Sequence, residues 1–174
     1  AVKGNRSIEF EELKLLQPGV SWSPDGRKIV IAAKAGSKDA FHIINTRNGD
    51  SKKIPFDLEG VFTPKWSPDG MRLAFVGNKN SASDIYTIDL KTNEIVNLTS
   101  DIFSDSEPSW HPSSSKLLFV SDRGTKIDRV PTTAVDMIDH NFEQNNIYSI
   151  DINTKVVEKI TNSSSNKNYP VYAN

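Results

Sequence analysis

The chain has 174 residues, with 21 basic against 22 acidic side chains and a formal net charge of -1, so there is no electrostatic reason to expect nucleic acid or an anionic membrane surface as partner. The absence of cysteine excludes a disulfide framework, an iron–sulfur cluster, a thiolate zinc site and a cysteine nucleophile, and suits an oxidising compartment. A hydrophobic share of 36% fits many short amphipathic strands better than a helical bundle.

The first residues, AVKGNRSIEF, hold no apolar run and are not read as an intact signal peptide. Phe10 stands 44 residues before Ile54, so Ser7 to Leu13 is expected as the last strand of a preceding unit. The first full unit then opens on Trp22-Ser23-Pro24-Asp25-Gly26. Proline presets φ at turn position i+1, Asp suits the next place, and Gly accepts positive φ, so this is a tight hairpin. The strand before it, A, ends in the tryptophan. The strand after it, B, carries Ile29 and Ile31, two apart and therefore on one face. Strand C is Ala40 to Asn45, and Asn48-Gly49 turns it into strand D, Lys52 to Phe56.

The second unit repeats this order. It reads Trp66-Ser67-Pro68-Asp69-Gly70, then Leu73 and Phe75, then Asp84 to Asp89, then Glu94 to Thr99. The third has Trp110-His111-Pro112-Ser113-Ser114, Leu117 and Phe119, Asn146 to Asp151, and Val156 to Thr161. Its Ser114 stands where the others have Gly26 and Gly70, and a left-handed serine costs about 1–2 kcal/mol. Trp22, Trp66 and Trp110 are 44 apart. Trp22 to Ile44 and Trp66 to Ile88 are 22, whereas Trp110 to Ile150 is 40, which places an 18-residue excess in unit three. The inserted region runs from about 122 to 144, between strands B and C. Finally, Asn168 to Tyr172 repeats Ser106 to Trp110, so 168–174 begins a further unit. No apolar run approaches the roughly 18–20 residues of a spanning helix.

A period near 44 with four strands per unit lies in the propeller-blade range of about 40–45 residues. The expected fold is therefore all-β: a β-propeller of four-stranded antiparallel blades. The blades fall at about 17–58, 61–103 and 105–164, a partial ring with incomplete terminal strands. The WSPDG turn, the LAFV-type strand and the IYxID…LT strand pair resemble the repeat of the TolB family, over about residues 16 to 174. That resemblance implies a periplasmic propeller of the bacterial envelope. The repeat is also similar to that of prolyl-oligopeptidase and dipeptidyl-peptidase propellers and of oligogalacturonate lyases. The motif residues are structural: Trp22, Pro24, Asp25 and Gly26; Trp66, Pro68, Asp69 and Gly70; Trp110 and Pro112. The tryptophans are expected between neighbouring blades.

His42, His111 and His140 show no metal-ligand spacing, which counts against the lyase reading. No GxSxG, GxGxxG or P-loop occurs. No catalysis, metal or cofactor is expected. Asn97-Leu98-Thr99 fits a glycosylation sequon, but it recurs as a repeat feature of strand D and carries little weight. Propeller B–C and D–A loops share one face, and the candidate binding residues lie there: Asp101, Asp105, Glu107, Asp122, Arg123, Asp136, Asp139 and His140. The insertion adds Val130, Val135, Met137, Ile138 and Phe142, which could form a lid or an apolar patch. A packed surface loop with solvated charges is the preferred reading of it. The expected function is a non-catalytic scaffold, periplasmic or otherwise exported, binding envelope proteins through its loop face. No nucleic acid and no membrane span are expected, and open blade faces favour self-association. The alternative is the substrate-gating propeller of a serine peptidase whose catalytic domain lies outside this chain. A sugar-active propeller enzyme is a more distant third.

Overall fold

The computed structural model describes residues 12–13, 19–35, 38–80, 82–124, 144–162 and 165–172. Among them there is no helix, and thirteen strands form three antiparallel sheets, none closed into a ring. The first sheet holds β1 (Glu12–Leu13), β2 (Val20–Trp22), β3 (Lys28–Ala35), β4 (Lys38–Asn45) and β5 (Ser51–Pro55). The second is β6 (Gly60–Trp66), β7 (Arg72–Lys79), β8 (Ala82–Asp89) and β9 (Ile95–Asn97). The third is β10 (Asp105–Trp110), β11 (Lys116–Ser121), β12 (Asn146–Asp151) and β13 (Val157–Lys159). In each sheet the strands pair in chain order, A to B to C to D, as the short turns require. The N-terminal expectation needs correction at its end. Glu12 and Leu13 pair with Lys34 and Ala33 of β3, on the edge that β2 also uses, so β1 belongs to the first sheet. Residues 7–11 lie outside the described residues.

The core sits between the sheets. One apolar cluster joins the first and second sheets through Val30, Phe41, Ile43, Ile54, Leu73, Phe75 and Ile88, with Trp66 packed against it. A second joins the second and third through Val76, Ile85, Leu98, Trp110, Phe119, Tyr148 and Ile150. β7, the B strand of the second sheet, feeds both clusters because its alternate residues point to opposite faces, Leu73 and Phe75 to the first and Ala74 and Val76 to the second. Trp110 is buried at 8% exposure, and its Nε1 donates to the Lys65 carbonyl of the preceding sheet at 2.9 Å. Trp22 occupies the same place in the repeat but is 60% exposed.

The repeated turns have one wiring. Ser23 Oγ donates to Asp25 Oδ1 at 2.6 Å, and Ser67 Oγ to Asp69 Oδ1 at 2.5 Å. The backbone N–H of Arg27 and of Met71 closes each loop on the same carboxylate. These bonds, that from Ser23 foremost, hold the Asp25 carboxyl below its ordinary pKa. Gly26 and Gly70 take φ of 66° and 74°. In the third turn His111 and Ser113 replace the Ser–Asp pair, with Nδ1 and Oγ 2.7 Å apart. Ser114 does adopt φ of 58°, and its hydroxyl accepts the Asp69 backbone N–H at 3.1 Å. The strained serine thus gains a bond between sheets that glycine could not make.

The A strands of the second and third sheets, β6 and β10, are bulged at a residue before a proline, which has no N–H to leave unpaired. Thr63, Glu107 and Tyr169 stand at equivalent places there and all have positive φ. The Glu107 carboxylate accepts the backbone N–H of Tyr169. Together with Trp66 and Trp110 these residues line a cavity of about 680 Å3 along the A strands.

Candidate functional site: a buried charge cluster at the loop end

The loop end of the second and third sheets gathers four of the candidate binding residues. Asp105 opens β10, Asp101 lies in the loop between β9 and β10, and Asp122 and Arg123 follow β11. Their proximity follows from hairpin geometry: β10 and β11 run antiparallel with Asp105 opposite Ser121. The start of one strand and the exit of the other therefore meet.

Arg123 is 2% exposed. Its Nη2 donates to Asp105 Oδ1 at 2.8 Å and Oδ2 at 2.7 Å, and lies 3.1 Å from Asp101 Oδ2. Its Nε donates to Ser121 Oγ at 2.9 Å. The guanidinium carbon stands 5.0 Å from the Phe119 ring, 5.5 Å from Tyr148 and 5.6 Å from Phe103, so π-faces surround the cation. Asp122 Oδ1 accepts the Ser104 N–H at 3.0 Å, fixing the same loop from its other side. The Tyr148 hydroxyl donates to the Gly124 carbonyl at 2.6 Å, which secures the chain where the inserted region begins.

Burial pushes the Asp105 carboxyl up to about 7, against the pull of Arg123. Burial also raises Asp101, again against Arg123. The Tyr148 hydroxyl is pushed up to about 12 by burial.

Asp84, at the start of β8, was not singled out by the sequence. Its carboxylate accepts from Asn97 Nδ2 at 2.8 Å, Thr99 Oγ1 at 3.2 Å and the Asp101 N–H at 3.3 Å. Oxygens of Asp84, Asp101 and Asp105 lie within 4.8 Å of one another. Such a donor set could hold a cation, but the Arg123 guanidinium already places a positive charge against two of the three. The network also fixes the sequon. The Asn97 amide nitrogen is held by Asp84, its side-chain oxygen accepts the Ser100 N–H, and its backbone carbonyl accepts Lys155. Thr161 repeats the threonine role in the third sheet, bonding the Ile147 N–H and Asn146.

Asp101, Asp105, Asp122 and Arg123 are therefore brought together. Glu107 is not; it belongs to the A-strand bulge. Asp136, Asp139 and His140, with most of the insertion, lie outside the described residues. Asp84, Phe103, Ser121 and Tyr148 complete the cluster. The one sequence signal for them was repeat position, since Asp84 and Tyr148 each stand in an Asp/Asn-Ile-Tyr run.

A family model described as the TolB beta propeller domain, PD40, matches residues 14–129. TolB from Acinetobacter baumannii is similar in structure, with a TM-score of 0.66 and 26% identity over 87% of this chain and 33% of that one. A putative TolB from Agrobacterium tumefaciens aligns with a TM-score of 0.62 and 20% identity over 84% and 50%. The acylaminoacyl peptidase of Pyrococcus horikoshii shares the fold at a TM-score of 0.53 and 19% identity, over 75% and 22%. The chain thus spans half or less of the length of these structures. No curated protein sequence matches it.

Proposed function

The chain belongs to the TolB β-propeller domain family, and from that premise we propose that it is a non-catalytic scaffold of the bacterial cell envelope that binds protein through its loop face. The observation that supports this reading most is the loop-end cluster. Two segments far apart in sequence, 101–105 and 121–124, are fixed against each other by buried bonds and present an ordered rim beside the inserted region. A preordered rim lowers the entropy cost of docking a partner. Arg123 and the carboxylates are committed to each other, so they build the rim and the contacts fall to exposed neighbours such as Ile102, Ser104 and Lys79. No helix among the described residues is long and apolar enough to cross a membrane. The proposed location is periplasmic or otherwise exported.

The test is capture from envelope extract on immobilised chain, comparing wild type with Ile102→Glu and with deletion of Lys126 to Phe142. A partner retained by wild type and lost with either variant, both still folded, supports the reading. Capture that both variants leave unchanged removes it. The peptidase neighbour favours a second reading, a substrate-gating propeller whose hydrolase lies outside this chain. A GxSxG nucleophile elbow downstream in the same reading frame would decide for it.

A further inference from the structure

Where the second sheet meets the third, four carboxylates face one guanidinium. Among the described residues, the charged and titratable groups around this space include Asp84 and Tyr86 from β8, Asp101 from the β9–β10 loop, Asp105 from β10, Asp122 and Arg123 after β11, and Tyr148 from β12. Lys159 of β13 stands 5.9 Å over the Tyr148 ring. Were all four carboxylates ionised, one guanidinium would have to balance them in a space where Asp105 is fully buried and Arg123, Asp84 and Asp122 nearly so. Carboxylates this close, out of water, share a proton instead. Asp84 has three donors of its own, from Asn97, Thr99 and the Asp101 N–H, and Asp122 has the Ser104 N–H. Asp101 and Asp105 both lean on Arg123, and once the shared proton is lost their mutual repulsion is relieved if one of them moves toward water. Asp105 is fixed in a strand. Asp101 is in the connecting loop.

We propose that the β9–β10 loop is a proton-dependent latch, closed on Arg123 while Asp101 and Asp105 share one proton and loosened when that proton is lost. Burial raises both carboxyls, Asp105 to about 7, which puts the transition near neutral pH. A raised carboxyl favours the closed form at low pH, and that advantage disappears as pH rises through its folded value. The loop also covers an apolar side chain. Phe103 is 1% exposed, capped on Arg123, and adjoins the exposed Ile102. Loosening would therefore uncover a Phe103–Ile102 patch on the loop face. This inference is independent of the partner proposed above, since it concerns the free chain.

Hydrogen exchange of the Phe103 and Ser104 amides tests it, because both donate to carboxylates of the cluster. Corrected for intrinsic exchange, their protection is expected to fall at least about tenfold between about pH 5.5 and about pH 8.5, tenfold being one unit of proton affinity. Amides of Phe75 and Ile88 should not follow. Asp105→Asn should keep the loop protected at both pH values, and Asp101→Asn serves if the first variant does not fold. Protection that is independent of pH in wild type would overturn the proposal. So would an equal fall at Phe75 and Ile88, or a pH dependence that survives both substitutions. Recovery of protection at high pH on adding calcium alone would also overturn it, since a cation rather than a proton would then close the loop.

Discussion

The interface between the first and second sheets and that between the second and third are built on the same repeat and solve the same packing problem differently. At the first, Phe41 meets Phe56 and Phe75 edge to face with centroids 4.7 and 5.1 Å away, Phe56 tilts against Phe75 at 5.0 Å, and Tyr86 stacks on Phe75. At the second, the ring pair Phe119–Tyr148 remains, but an arginine and its carboxylates fill the loop end. One repeat earlier, the place of Asp105 is held by Val61, and both are fully buried. Arg123 corresponds to the exposed Lys79, and Asp101 to Asp57, whose side chain is 95% exposed and pairs with Lys38 at 2.6 Å. A shared backbone thus accepts either a dry or a charged seal. The dry seal depends on volume, the charged one on balance.

That contrast can be broken from both sides. Phe75→Ala should cost about 3–5 kcal/mol through lost transfer energy and a cavity, equally at acid and neutral pH, measured by denaturant unfolding. Arg123→Met should cost a similar amount, about 3–5 kcal/mol near neutral pH, because Asp101 and Asp105 are left buried without their cation. Unlike the first loss, it should shrink toward acid pH, where the carboxylates take up protons. Combining Arg123→Met with Asp105→Val and Asp101→Asn imports the first interface's chemistry and should recover most of that loss, read from the same unfolding curves.

A gentler comparison uses pH alone. The stabilising share of Asp105 is complete below its unfolded value near 3.8 and is lost as pH rises through about 7, and Asp101 acts in the same direction. The melting temperature of wild type relative to Asp105→Asn should therefore fall between about pH 5 and pH 8. A relative rise over that window would contradict the burial argument. The smallest effect is expected at Ser114→Gly. Relief of about 1–2 kcal/mol of left-handed strain nearly cancels the lost bond of about 1 kcal/mol to Asp69, leaving unfolding almost unchanged.

The limits of reading the sequence are seen at particular residues. Trp66 and Trp110 were legible as core because the period fixes which face they share. Trp22 carries the same letters but is exposed, since burial depends on a neighbouring surface and not on the motif. Glu12 and Leu13 have the 44-residue spacing of a D strand, yet they pair on β3, because spacing cannot specify which edge a short strand chooses. The candidate loop residues were chosen for position, and Asp101, Asp105, Asp122 and Arg123 do converge. Glu107 does not, because a bulge turns it toward Tyr169. The role of Asp84 was hidden, since an aspartate opening a strand looks the same whether it faces water or three donors.

The sequence by itself determined the repeat, the four-strand order of each sheet and the turn chemistry, because these rest on contacts between near neighbours along the chain. Only the tertiary structure decided that the aspartate standing one repeat after Val61 is as fully buried as that valine and is paired to an arginine 18 residues away. Such a pair is set by burial and by the third and fourth groups around it. No local pattern encodes those, because they arrive from separate strands.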